Sequence, residues 1–265
     1  FRSAEEIGLE IKEEKILNLP RSTLRTLTSL AFEKCIKEYE NIKYDVVIIS
    51  THASYWWKNG PEHAFDTSLL NKINPDLYVT FINDAVKIRD KIYSDPKWGK
   101  DIITLSEIIT WQQLEVYTTD ILSMLQRKKH YIYHISYPLK TLFNLIFNEK
   151  VLKVYTSYPM TYANKEKKKI ETFINFLRKY CIVFNPVFEE DVIKIKDENM
   201  MEQIRNWIVK KDYKLIDQSD IVIVYFPKIV HSSGVEKEIS YAHHSNKDVW
   251  IIFPSKRLSP FTTYY

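Results

Sequence analysis

The sequence predicts an α/β protein made of two α/β domains, the C-terminal one a flavodoxin-like doubly wound parallel sheet. Three observations carry this. Short, continuous apolar runs end in polar residues, as buried parallel strands do. Stretches with apolar residues at helical spacing separate those runs. The alternation restarts near Asn148-Glu149-Lys150, which divides the 265 residues into 1–149 and 150–265, each of ordinary domain size.

In the first part, residues 4–17 and 22–40 read as helices. Pro20 precedes Ser22-Thr23, and Leu24, Leu27, Leu30 and Ala31 recur at helical spacing. Tyr44-Asp45-Val46-Val47-Ile48-Ile49-Ser50 reads as a buried strand that delivers its polar end to a site. Residues 77–82 and 131–135 read as two more strands, with helices at 83–93 and 104–126, so a mainly parallel sheet is expected here too. In the second part, strands are expected at 152–157, 182–184, 220–226 and 249–253. Helices are expected at 164–179, 198–217 and 234–246.

Composition narrows the function classes. The net charge of +4 suits an enzyme of anionic small molecules and is too weak to indicate specific nucleic-acid binding. Cys35 and Cys181 are the only cysteines and neither belongs to a CxxC pair, which argues against a disulfide framework or a zinc ribbon and for a cytoplasmic setting. His243 and His244 are adjacent and point to different helix faces, so no metal is expected. No apolar run approaches a membrane span, so no membrane partner is expected. The basic runs at 127–130 and 165–169 read as solvated surface.

Ligands of a doubly wound sheet bind beyond the carboxyl ends of its strands. One such end is Tyr155-Thr156-Ser157-Tyr158-Pro159. Another is the loop that reaches Ser232-Ser233-Gly234 and opens the helix bearing Glu238. Free backbone N–H groups, two hydroxyls and the helix dipole make that loop a candidate anion site. Glu238 is placed in the first turn of that helix, and Asp212 on the helix before the 220–226 strand. Each carboxylate also has a plain structural reading: a helix dipole favours an acid such as Glu238 near its N-terminus with no catalysis involved, and Asp212 reads as a solvated helix residue.

Taken together, Lys211-Asp212-Tyr213, then Ser219-Asp220-Ile221-Val222-Ile223-Val224, then Ser232-Ser233-Gly234-Val235-Glu236-Lys237-Glu238 with Ala242, is similar to the nucleoside 2-deoxyribosyltransferase superfamily, which includes the 2'-deoxynucleoside 5'-phosphate N-hydrolases. About 105 residues carry the resemblance. It implies a glycosidic nucleophile at Glu238, a base-holding or proton-passing acid at Asp212, and an orienting hydroxyl at Tyr155. It further implies substrate contacts from Ser157, Ser232, Ser233 and Gly234, with no cofactor. Ser232 stands where the nucleoside transferases carry an Asp, which implies a nucleoside 5'-monophosphate as substrate and water as acceptor. Ser157-Tyr158-Pro159 and Lys237 depart from the family's usual residues. Family members are oligomers, so a homo-oligomer is expected, with Tyr264 and Tyr265 as candidates to act in trans.

Around Ile49-Ser50-Thr51-His52-Ala53, Pro75-Asp76-Leu77 and Trp111-Gln112-Gln113, the first part resembles a P-loop nucleotide kinase of the adenylate-kinase-like type. The Walker A pattern, G-x-x-x-x-G-K and then Ser or Thr, does not occur in the chain. Without it nothing holds the β- and γ-phosphates. This part is therefore expected to be accessory, binding a nucleotide or a protein partner. Tyr55, Trp56 and Trp57 read as core or interface. Besides nucleotide N-hydrolysis, four readings stay open: base transfer between deoxynucleosides, an NAD-type glycohydrolase, a nucleotide sensor without turnover, and a kinase whose Walker A lies upstream of Phe1.

Overall fold

The computed structural model describes residues 2–11, 16, 18–41, 44–57, 60–95, 103–186 and 198–255. Tyr264 and Tyr265, Lys58 and Asn59, and residues 12–15 and 17 of the first expected helix lie outside them. The protein is mixed α/β. It divides into two compact units, residues 1–131 with 197–203 and residues 132–196 with 204–265.

The first unit holds α1 (Arg2–Glu6), α2 (Arg21–Asn41), β1 (Ser54–Trp57), β2 (Gly60–His63), α3 (Thr67–Ile73), β3 (Leu77–Ile82), α4 (Ala85–Ser94) and α5 (Leu105–Leu125). Phe32 of α2, Leu69 and Leu70 of α3 and Leu122 of α5 form one core cluster. Ile92, Ile103 and Ile108 form another. β1 and β2 make an antiparallel hairpin, and β3 is bonded to β4 (Lys129–His134), whose first three residues belong to this unit.

The antiparallel pair of β1 and β2 was not expected from the sequence, and one expected strand is absent. Residues 44–50 form no strand, and Ile48 is 75% exposed. An apolar run is stable as a buried strand only with neighbours on its edges and faces, because strand propensity reports fit to a pleated, half-buried surface. Among the described residues no strand pairs with this one.

The α3 start shows how a local signal fixes a helix. Asp66 caps it, accepting from the backbone N–H groups of Ser68 (2.9 Å) and Leu69 (3.2 Å), and Ser29 Oγ donates to its other oxygen at 2.7 Å. Those bonds hold its carboxyl down at about 2, the Ser68 and Ser29 hydroxyls first. Asp66→Ala should cost about 1 kcal/mol, as N-cap losses do. Because the folded value lies below the unfolded one, this stability is present above about pH 4 and disappears as pH falls through 2. Urea midpoints of wild type and Asp66→Ala should therefore converge between pH 4 and pH 2.

The second unit holds the rest of β4, then α6 (Leu139–Phe147), β5 (Lys153–Ser157), α7 (Met160–Leu177), β6 (Ile182–Phe184), most of α8 (Glu198–Asp217), β7 (Ile221–Tyr225), α9 (Ser233–His244) and β8 (Asp248–Ile252). The two compact units meet along the chain near residue 131 and again within α8. The Gln218 side chain explains why Ile132 belongs with the second unit: it accepts from Ile132 N–H at 2.9 Å and donates to Ile132 C=O at 3.0 Å. Tyr137 is tied in as well, through its hydroxyl to the Asn185 carbonyl at 2.8 Å.

The four-stranded sheet runs β6-β5-β7-β8, every pair parallel. β6 and β7 are apolar runs because both faces of the sheet are covered, and β5, although it carries Lys153, Thr156 and Ser157, is buried at every position. Side chains alternate between faces. Val154, Ile221 and Ile223 pack with Phe173 and Leu177 of α7 on one face. Tyr155 and Ser157, level with Val222 and Val224, lie on the other.

Candidate active site

The second face gathers the acidic residues. On α9, Val235, Ile239 and Ala242 are buried at helical spacing, and Glu238 falls on the same side, three residues after Val235. On α8 the buried positions Ile204, Lys211, Asp212, Leu215 and Ile216 form the inward stripe, so Asp212 faces in for the same reason. α9 starts at Ser233, so Glu238 sits in its second turn and not in its first. Proximity to the dipole end alone is then a weaker explanation of this carboxylate, since that effect fades beyond the first turn.

Two hydroxyls from β5 grip Glu238. Tyr155 Oη donates to Oε1 at 3.0 Å, and Ser157 Oγ donates to Oε2. Both donors are fully buried in the centre of the sheet. Tyr155 and Ser157 are two residues apart on one strand, which is what places both on one carboxylate. Ser157, expected to touch substrate, is thus a holder of Glu238. Burial raises the Glu238 carboxyl to about 8, the negative charge of Asp212 adds to this, and the Ser157 and Tyr155 bonds oppose it. Glu238 remains half-buried as a residue.

Asp212 is 8% exposed, and its charge acts on four groups around it. It raises Glu238, Tyr155, Tyr137 and Tyr158, though burial is the larger cause for each. Tyr158 is pushed up to about 12 and donates to the Pro186 carbonyl at 3.0 Å. Arg178 provides the neighbouring cation, with Nη2 at 3.3 Å from Asn185 Oδ1. Its guanidinium is lowered by burial, against the pull of Tyr137, Tyr158 and Tyr133. Tyr137, Arg178 and Asn185 were not foreseen from the sequence. Tyr137 lies in a loop that the sequence assigns to the first domain, and no spacing rule links it to Asp212.

Ser232 caps α9, with Oγ accepting from Val235 N–H at 3.5 Å. Ser233 and Gly234 are exposed on the first turn, and a Cβ on Gly234 would meet open space. These three residues form the dipole-positive end of the helix whose inner side carries Glu238. The structure joins Glu238, Tyr155, Ser157 and Asp212 into one cluster, while Ser232, Ser233 and Gly234 stand apart from it along α9. His243 and His244 contact each other edge-on, and no group of three metal-binding side chains occurs among the described residues. No helix among the described residues is long and apolar enough to cross a membrane. Compared with models of known families and with curated proteins, the sequence matches none of either.

Proposed function

We propose that the second unit hydrolyses the N-glycosidic bond of a (deoxy)nucleoside 5'-monophosphate, with Glu238 as nucleophile. The observation that carries this reading is the Glu238 carboxylate held at both oxygens by buried hydroxyls, with a second carboxylate, Asp212, facing it. Paired carboxyl groups with separated proton affinities are the working parts of glycosidic cleavage. The strand order, with the first strand inside the second and the third and fourth following, supports the flavodoxin-like reading of the sheet.

In the proposed reaction a Glu238 oxygen attacks C1' of the sugar. The C1'–N bond breaks, its electron pair goes to the base, and Asp212 supplies the proton the base takes. The glycosyl ester on Glu238 is then cleaved by water, whose proton returns to Asp212. The net change is nucleotide plus water to free base plus sugar phosphate. Tyr155 and Ser157 fix the attacking oxygens so that attack needs no reorganisation. The 5'-phosphate would rest on the N–H groups and hydroxyls of Ser232, Ser233 and Gly234. The six residues from Ser232 to Glu238 span roughly 9 Å of helix rise, and a glutamate leans back toward the helix N-terminus. That leaves a gap the size of a pentose between nucleophile and anion site.

The test is a panel of nucleosides, their 5'-monophosphates and NAD, with released base or nicotinamide read by chromatography. Base release from monophosphates is expected to exceed release from the matching nucleosides. Mass spectrometry of protein quenched during turnover should find a sugar phosphate on the peptide containing Glu238. Faster nicotinamide release, transfer to a second base in place of hydrolysis, or tight binding without any product would each overturn this reading.

A further inference from the structure

The other face of the sheet carries a second feature, independent of the Glu238 cluster. Along α7, Lys165, Lys168, Lys169, Thr172, Phe173 and Phe176 follow one another at steps of three and one, which sets them on a single helix face. They line a cleft of about 630 Å³ whose far wall is Tyr225, the last residue of β7. A face built this way is neither an apolar core stripe nor an ordinary solvated one: cations fill its first half and aromatic rings its second.

The rings form two pairs, one stacked and one edge-on. Phe173 lies against Tyr225 with centroids 4.5 Å apart and planes within 25°. Phe176 is 53% exposed, and Tyr180 beside it is 71% exposed, their centroids 5.4 Å apart. Charge is unbalanced on the cationic half. Among the described residues Glu166 is the one acid lining the cleft; it pairs with Lys169 at 2.9 Å and approaches Lys228 at 4.0 Å. Lys165 and Lys168 form no ion pair with any described residue.

We propose that this face of α7 binds single-stranded nucleic acid without sequence preference, phosphates on the lysines and bases on the exposed rings. A groove that combines cations tracking a backbone with aromatic platforms for successive bases is the recurring solution for that ligand. The cleft is open to solvent and its lining follows α7, so it can seat a chain laid along the helix. It would not enclose a single nucleotide. A membrane surface would want its rings clustered beyond the cations on a convex face, and here they line a concave one.

The full-length protein is titrated into a fluorescein-labelled oligothymidylate of about fifteen residues, and anisotropy is recorded at rising salt. Binding should weaken steadily with salt, by about 0.7 of a logarithmic unit per unit of log salt for each phosphate neutralised. The double variant Lys165→Glu/Lys168→Glu should bind at least tenfold more weakly, and Phe176→Ala about fivefold more weakly. Both should keep wild-type melting temperature and wild-type base release from mononucleotides, since neither touches the Glu238 face. Four results would overturn the proposal: no binding to the oligonucleotide; unchanged affinity in the lysine variant; thymidine monophosphate competing as well as the oligomer; or anionic vesicles, heparin and oligonucleotide binding alike with Phe176→Ala silent. Because base release is measured separately, failure here leaves the glycosidase reading standing, and the reverse also holds.

Discussion

Glu238→Gln is expected to lower base release by a factor on the order of 10³ or more while making the protein more stable. The first effect follows from chemistry. An amide cannot form the glycosyl ester, so what survives is the contribution of binding and charge alone. The second follows from linkage. The folded carboxyl titrates at about 8, and the unfolded one near the ordinary glutamate value of 4.5. Between those values the folded state binds the extra proton, so wild-type stability falls as pH rises from about 4.5 through 8. Glutamine carries no such cost and still offers Tyr155 an acceptor, while the Ser157 hydroxyl can rotate to accept from its amide. The stability gap should be small at pH 5 and widen to an order of 1–3 kcal/mol at pH 9, after discounting for a residue that is only half-buried. Thermal melts at both values, beside chromatographic assays, check both halves. A variant that is inactive but less stable at pH 9 would mean that Glu238 is a structural anchor and not a strained nucleophile.

This trade of stability for a reactive group also shows what the sequence could reveal. Residues 182–184 and 221–225 were legible as strands because a strand covered on both faces is largely apolar. Glu238 and Asp212 were legible as candidates because they lie on the helices next to the strand ends and belong to the ordered motifs that carry the resemblance. The role of Ser157 was within reach: two residues from Tyr155 on one strand, it had to share its face. The misreading of 44–50 has the opposite cause. Its composition is that of a buried strand, but composition cannot report whether a neighbour exists to pair with it. The short helices α3 and α6 were missed because seven to nine residues give too few turns for periodicity to stand out. Tyr137, Arg178 and Asn185 come from three separate loops and turns. Only the packing of α6 against β6, the edge strand of the sheet, brings them together, and nothing local encodes that meeting. The Lys-rich run at 165–169 was read as plain solvated surface. The rings that give it another meaning, Phe173 and Tyr225, come from the far half of α7 and from β7.

The second large effect concerns the proton that the two carboxyl groups share. Burial and mutual repulsion keep one proton on the Asp212–Glu238 pair up to about pH 8. In the proposed reaction that proton leaves on the base, so the competent form is the minor arrangement of the singly protonated pair, with the proton moved from Glu238 to Asp212 and the charge on Glu238. Removing the last proton leaves no acid for the leaving group. Activity should therefore fall as pH rises through about 8, with the limb belonging to the pair and not to either residue alone. Asp212→Asn removes both the acid and the repelling charge. Its Glu238 should ionise at lower pH, so the alkaline limb should vanish, with the rate on a plateau about 10²–10⁴-fold below wild type, the usual worth of a positioned acid. Substrates whose bases leave without protonation should lose much less, because they need only the nucleophile. The decisive comparison is kcat/KM from pH 5 to 9.5 for wild type and Asp212→Asn, on one natural nucleotide and one with an activated leaving group. If wild type instead climbs to a plateau above pH 8, then ionised Glu238 alone limits the rate, Asp212 only holds the base, and the proton must come from solvent or from the substrate itself.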